Sequence, residues 1–329
     1  MTRTRMTKRT FLAIAVGACT LAVSGAGASA QSFPTQPLRI VVPLAPGGPI
    51  DLVTRAMAEN LSAALKQPVV VENRPGAAGN IGAEAVVKSA PDGHTLLATL
   101  GTSLSVNPHV YAKMPIDPLQ DLKPVLNMAS TSQMLVVHPS VPVNSLAEFI
   151  AFAKKEPISY AHAGHGSPGH LAMEYFRLKT GLPAMAPVPY RGNAPLVTDL
   201  IGGQVKVGFV ATAGVIQHVR AGRLKGFAVS SKERSELASD IPTVAESGYP
   251  DFNFLTYFIL LAPSGTPDAT LATLEREARK ALVTDDLRKK FALQDVTILG
   301  TGAKETAALI KSEYDLWKNV AKDANMKVD

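Results

Sequence analysis

One unit recurs along this chain and limits what it can fold into. A short apolar run gives way to a loop of glycine and proline, and an amphipathic segment begins at once. It reads IVVPLAPGGPIDLVTR from Ile40 to Arg55, ENRPGAAGNIG from Glu72 to Gly82, and AHAGHGSPGH from Ala161 to His170. A strand followed directly by a helix must reach its next strand by crossing over, so such units build parallel sheets with helices on both faces.

The spacing of apolar residues fills in the elements. Leu38 to Leu44 reads as a buried strand, and Val53, Met57, Leu61 and Leu65 recur every four residues, which predicts a helix with one apolar face. Val69-Val70-Val71 is a second strand, Asn80 to Ala90 a second helix, Pro91-Asp92-Gly93 a turn and Thr95 to Leu100 a third strand. The pattern then repeats. Ser145 and Glu148 form a capping box for a helix from Leu146 to Lys155, and Ile158 to His162 is a strand. Ser167 caps a helix with Pro168 in its first turn, and Gly181 closes it. Val205 to Val210 and Phe227 to Ser230 are strands, Thr243 and Glu246 cap a short helix, Thr266-Pro267 opens a long one, and the last helix carries Trp317. Two strand-rich regions result, 34–131 and 132–253, and the apolar run from Leu255 to Leu261 returns the chain to the first. Both connections are then strands, the signature of a hinge between two lobes.

The first 30 residues read as a secretion signal. Arg3, Arg5, Lys8 and Arg9 precede a 13-residue apolar stretch, Phe11 to Val23, and Ala28-Ser29-Ala30 offers a small-residue cleavage site before Gln31. The apolar stretch falls short of the roughly 20 residues that cross a bilayer. Lys8-Arg9 is a weak twin-arginine look-alike, and the ordinary secretory route is the expectation. A lipoprotein cut before Cys19 would leave apolar chain on the wrong side of it. Cleavage after Ala30 would remove four bases and no acids, so the net charge falls from +6 to +2, and no basic patch points to nucleic acid. It would also remove Cys19, the only cysteine, leaving no disulfide and no thiol chemistry. The expectation is a soluble periplasmic protein.

Ligands of parallel α/β sheets sit beyond the carboxyl ends of the strands. Pro46, Gly47, Gly48 and Pro49 lie at such an end, where unpaired amides of a helix start attract anions by about 0.3–1 kcal/mol, or ~2 when partly buried. Asp51 competes for those amides and stands one turn from Arg55. A tight turn needing positive φ explains this loop alone equally well. Gly79 and Asn80 repeat the arrangement, as do Gly164, Gly166 and Ser167. Several helix starts meeting at one cleft would suit a carboxylate held largely by backbone. Arg191 could add a forked pair with that carboxylate, or form a surface salt bridge.

The histidine loop carries rival readings. Gly164, Gly166 and Gly169 fit a dinucleotide fingerprint, but no acid follows in Val188-Pro189-Tyr190-Arg191. His162, His165 and His170 suggest a metal. With no cysteine, no carboxylate in the loop and loose glycines between, the expectation is no metal, with His170 structural and His162 and His165 donating to an anion. Ser167 does not sit in a nucleophile elbow, because position 165 is His where that motif needs Gly.

The stretches VPLAPGGPIDLVTR, VVVENRPGAAGNIGAEAV, APDGHTLL, VHPSVPVNSLAEFIAFAKKEP, VPYRGNAPLVTDLIGGQV, IPTVAESGYPDF and LLAPSGTP cover nearly all of the chain after residue 30. Together they resemble the Bug-type extracytoplasmic receptors, the solute-binding components of tripartite tricarboxylate transporters. The resemblance implies a two-lobed periplasmic binding fold that closes over a dicarboxylate, tricarboxylate, amino acid or aromatic acid, with one carboxylate gripped by first-lobe backbone, partly through ordered water. The chain departs from that pattern at Pro49, where a small polar residue is usual, and at His162 and His165, where Ser and a small or amide residue are usual. It departs again at Lys206, where an acid is common, and at Tyr257 and Ile259, where Trp and Gly are common. The first three of these changes shift the site itself toward more basic or bulkier chemistry, which bears on the identity of the ligand and not on the fold.

The expected protein is therefore an α/β receptor without cofactor, metal or catalysis. Lobe 1 spans 34–131 plus 257–329 and lobe 2 spans 132–256. Pro46–Pro49, Gly79, Asn80, Gly101, Thr102 and Ser103 form the floor of the site, and His162, Gly164, His165, Gly166, Ser167, Arg191, Ala211 and Thr212 form the lid. It acts as a monomer, delivering a small carboxylate to integral membrane transporter subunits. The alternatives are a sensor feeding a signalling receptor, and a periplasmic hydrolase or lyase using His162 or His165.

Overall fold

The computed structural model describes residues 33–327; the secretion signal and its cut after Ala30 lie outside the described residues. Two sheets carry the fold, and each contains the predicted crossover units. In the first, β1 (Leu38–Val42), β2 (Val69–Asn73) and β3 (Thr95–Leu100) run parallel. α1 (Pro49–Leu65) and α2 (Asn80–Val87) cross between them. Pro49 opens α1 at a position where a missing N–H costs nothing. Val53, Met57 and Leu61 are fully buried on the predicted stripe, each contributing about 1.5–3 kcal/mol. After β3 come two short helices, α3 (Gly101–Ser105) and α4 (Asn107–Val110).

β4 (Leu122–Thr131) leads through one residue, Ser132, into β5 (Gln133–Val137) of the second sheet. There α5 (Leu146–Ala153), β6 (Ser159–His162), α6 (Pro168–Thr180), β7 (Ala186–Pro189), α7 (Asn193–Ile201), β8 (Val207–Ala211), α8 (Thr212–Arg220) and β9 (Lys225–Val229) follow. β10 (Thr256–Pro263) returns to the first sheet, followed by α9 (Asp268–Leu282), α10 (Asp285–Ala292), β11 (Val296–Gly302) and α11 (Ala303–Asp323). The sheet orders are β11-β4-β10-β3-β1-β2 and β7-β6-β8-β5-β9.

Both sheets are mixed: the predicted crossover strands run parallel, and the strands that enter from the crossing run against them. β10 runs antiparallel to β3 and β4, and β5 antiparallel to β8 and β9. The reason is directional. The parallel strands point their carboxyl ends toward the crossing, so a strand that enters a sheet from the crossing must run against them.

The two crossings lie side by side. Ser230, just past β9, donates its amide to the Gln133 carbonyl (2.7 Å) and its hydroxyl to the Phe254 carbonyl (2.7 Å), while the Gln133 amide donates to its Oγ (2.8 Å). Asp295, between α10 and β11, accepts from the Ser132 amide (3.2 Å) and hydroxyl (2.7 Å) and from the Ser235 hydroxyl. α11 serves both sheets. Its first part packs on β4 and α3, whereas Trp317, Val320 and Ala321 enter the core that holds Phe149, Tyr175, Phe176 and Phe252. The Trp317 ring stands 5.9 Å from Phe254 and 6.1 Å from Tyr175.

Several local signals resolve differently in detail. Glu148 N–H donates to Ser145 Oγ at 3.1 Å as expected, but the return bond to Glu148 comes from Asn144 N at 2.8 Å. Thr243 and Glu246 make both bonds of a capping box, 2.9 and 2.8 Å, around turns and not around a helix. Gly181 closes α6 at φ +65° as predicted.

Candidate functional site

The loops beyond β1, β2 and β3 are tied into one surface. Ser103 Oγ donates to the Ala78 carbonyl at 3.1 Å, Asn107 Nδ2 donates to the same carbonyl at 3.2 Å, and Asn73 Nδ2 reaches the Leu44 carbonyl at 3.1 Å. A Cβ on Gly79 would stand 3.3 Å from Ser103 Oγ and 3.4 Å from Pro43 Cγ, and Gly79 has φ +98°, so this corner accepts only glycine. The Asn80 side chain is buried and takes the Asn107 amide at 2.8 Å. Gly101 abuts the Tyr257 and Ile259 side chains, 3.3 and 3.4 Å from where its Cβ would be.

Beneath the first loop, buried Asp51 accepts from the Gly47 amide (2.9 Å), Asn73 Nδ2 (2.9 Å) and Arg55 Nε (3.0 Å). Burial alone would raise its pKa, but these donors outweigh it and the value is lowered. Of the backbone amides at this helix start, Asp51 takes only that of Gly47. The start of α1 has no side-chain cap, and the starts of α2 and α3 have none either. Pro49 is exposed, as are Pro46 and Gly47.

In the second sheet the loop after β6 holds the histidines. His162 is fully buried at the strand end, His165 is exposed, and His170 is buried in the first turn of α6. The loop turns through Gly164 (φ +119°) and Gly166 (φ +73°), and the Gly166 amide donates to His170 Nδ1 at 3.1 Å. The rings lie close, with centroids 4.5 Å apart for His162–His170 and 5.1 Å for His162–His165. This corrects the expectation that the glycines keep them loose. Burial depresses the His162 pKa, and burial with His162 and His165 beside it brings His170 down to about 3, so both rings are neutral at pH 7.

Three polar atoms of this loop are buried without a protein partner: His162 Nδ1, His162 Nε2 and Ser167 Oγ. Ser167 stands at the cap position of α6, but its hydroxyl makes no cap bond, which corrects that expectation. It also has no imidazole base, so no nucleophile–base pair exists there. Arg191 is exposed after β7 and, among the described residues, has no carboxylate partner, so the surface salt bridge is not formed. The neighbouring Tyr190 amide donates to the His162 carbonyl at 2.8 Å and fixes this stretch against the histidine loop. Thr212 is fully buried and its hydroxyl pairs with Ser132 Oγ at 2.8 Å, so it belongs to the hinge and not to an open site.

Register places the two loop sets facing the crossing. Leu100, at the end of β3, pairs with Phe258, two residues after the return crossing, and Ala211, at the end of β8, pairs with Gln133, just past Ser132. Asn107 and Asp295 carried no sequence signal, because their partners lie 27 and 163 positions away.

Known proteins share this architecture. Residues 53–326 match the tripartite tricarboxylate transporter family receptor profile, TctC. The chain is 36% identical to BugT of Bordetella pertussis over 91% of its own length and 93% of that protein's. The structure of R. palustris Rpa4515 with adipate is 32% identical with a TM-score of 0.77, covering 90% of this chain and 99% of that one. MatC from Rhodopseudomonas palustris with bound malate is 28% identical with a TM-score of 0.74, covering 88% and 99%. The periplasmic binding protein BugD is 30% identical with a TM-score of 0.75, covering 90% of this chain and 99% of that one, so the shared fold is that of the two-lobed periplasmic binding proteins.

Proposed function

The chain belongs to the tripartite tricarboxylate transporter receptor family, and from that premise we propose that it captures a small carboxylate between two lobes and delivers it to the membrane subunits of a tripartite transporter. The family is one of receptors and not of enzymes, so the hydrolase or lyase alternative on His162 or His165 is not carried forward. Lobe 1 comprises 34–131 with β10, α9, α10, β11 and the first part of α11. Lobe 2 comprises 132–256, with the end of α11 packed into it.

The observation that carries the reading is the pairing of two unfinished polar surfaces. One is a floor of helix starts without caps; the other is a lid whose His162 and Ser167 polar atoms are buried and unpartnered. Buried polar groups cost about 1–3 kcal/mol each when left unpaired, so a ligand that pairs them gains that energy on closure. An anion fits the floor amides, and Arg191 is free to fork a carboxylate oxygen pair. Adipate and malate, the acids found with two relatives, are flexible dicarboxylates and set the first class to try. The chain acts in the periplasm once its amino-terminal signal is removed.

Thermal shift across di-, tri- and aromatic carboxylates tests this. A ligand at 100 times its Kd stabilises by about 2.7 kcal/mol, which raises Tm by roughly 4 °C for a chain of this size. Arg191→Ala is expected to weaken binding of the active acid while leaving the ligand-free Tm unchanged. A panel with no stabiliser overturns the reading.

A further inference from the structure

We propose that His162, His165 and His170 form a three-imidazole binding site for a late first-row transition metal ion of the Zn2+ class. One ring nitrogen from each residue lies within 4.8 Å of the other two. The donor set is wholly imidazole, which suits Zn2+, Co2+, Ni2+ or Cu2+ and disfavours Mg2+ and Ca2+, ions that demand oxygen ligands. Three protein donors leave a fourth tetrahedral position for water, the pattern of an open zinc site.

His162 supplies the second, independent observation. It is fully buried, neither ring nitrogen makes a hydrogen bond of good geometry to the protein, with only the Gly164 backbone beside the ring, and it packs against both other rings. A histidine placed there only to fill space would leave two polar atoms unsatisfied; a metal bond satisfies one directly. Glu174, which lines the same cavity as His165 and His170, is already taken by the Tyr160 hydroxyl (2.7 Å) and Arg177 Nε (3.0 Å), so it does not compete as a ligand.

The approach needed is small and the backbone allows it. Metal–nitrogen bonds of about 2.0–2.1 Å put tetrahedral donors roughly 3.4 Å apart, so the nitrogens need to close by at most about 1.4 Å. His162 and His170 are fixed by a strand end and a helix start. His165 sits between two positive-φ glycines, and around Gly166 there is open space, so His165 is the arm that moves. His165 and His170 also line a cavity of about 240 Å3 that gives an ion a route in. Binding must release the Gly166 amide from His170 Nδ1: either that lone pair goes to the metal, or the proton shifts there to free Nε2.

This site does not depend on the carboxylate reading, because the metal alone is the probe. Untagged, chelator-treated protein is titrated with Zn2+ by calorimetry and with Co2+ by visible absorption. Wild type is expected to bind one ion per chain, with the absorption of four-coordinate Co2+. His165→Ala, at an exposed position, removes a direct ligand and is expected to lose at least about 100-fold in affinity, the upper end of what losing even a residue behind a ligand costs, with Tm unchanged. His162→Ala is expected to abolish binding, and His138→Ala, at the opposite end of the sheet, to change nothing. Equal affinity in wild type and His165→Ala, a loss shared by His138→Ala, or no saturable binding at all would overturn the proposal.

Discussion

Replacing Asp51 with alanine removes the anchor under the first-lobe floor. The carboxylate is 1% exposed and accepts three hydrogen bonds, from Gly47 N, Asn73 Nδ2 and Arg55 Nε. Bonds to a charged acceptor are each worth about 1.5–3 kcal/mol when buried. The Arg55 share is small, under about 1 kcal/mol, because that side chain is 46% exposed and keeps its bond to Asn73 Oδ1. Against the other two stands the desolvation cost that the carboxylate no longer bears. The balance is a loss of about 3 kcal/mol, which lowers Tm by roughly 5 °C for a chain of this size. Urea unfolding should show a lower midpoint with an unchanged slope. The lowered pKa sets the pH window: the contribution is whole above the ordinary carboxyl range and is lost as pH falls below about 4. Carboxylate affinity should also drop, since Gly47 loses its fixed orientation. A Tm within 1 °C of wild type, or full stability with normal binding, would refute this view of the floor.

Two further outcomes follow from packing and burial. A Cβ at Gly169 would stand 2.2 Å from the Phe209 carbonyl oxygen, a backbone atom that cannot swing aside; Gly169→Ala should therefore cost about 1–3 kcal/mol in calorimetric unfolding, whereas Gly214→Ala, on an open helical position of α8, should be neutral or stabilising. Burial raises the Glu313 pKa, with the Trp317 N–H (3.2 Å) opposing it, so the native state prefers the protonated acid and loses stability as pH rises through that range. Glu313→Gln keeps an acceptor for Trp317 and should raise Tm at pH 8 more than at pH 4; an equal shift at both would contradict it.

The crossover units of both sheets were legible because local rules govern them. A four-residue apolar spacing, Pro49 at a helix start and Gly181 at a helix end act within one turn. β4 was not legible. Pro124, Asn127 and Ser130 interrupt it, and it is a strand because β10 and β11 flank it on either side. The antiparallel course of β5 and β10 follows from which sheet the chain enters, a long-range fact. In the site, glycine positions were legible and side-chain occupancy was not. Thr212 reads as a lid residue until Ser132, 80 positions away, claims its hydroxyl. Ser167 reads as a cap, yet the chain leaves its oxygen unused. The three histidines raised a metal reading that the glycines between them argued against, because spacing alone does not reveal that a strand end and a helix start bring their rings within 5 Å or so of each other.

The most direct measurement is the identity of what the protein carries. Protein purified gently from periplasm is denatured, and the released small molecules are identified by mass spectrometry, beside a sample stripped and reloaded with the best acid from the thermal panel. The account predicts an intact small carboxylic acid, close to one per chain after reloading and chemically unchanged on release. Reloading that fails for every carboxylic acid, a neutral or cationic molecule in its place, or conversion of the acid into a product would contradict it.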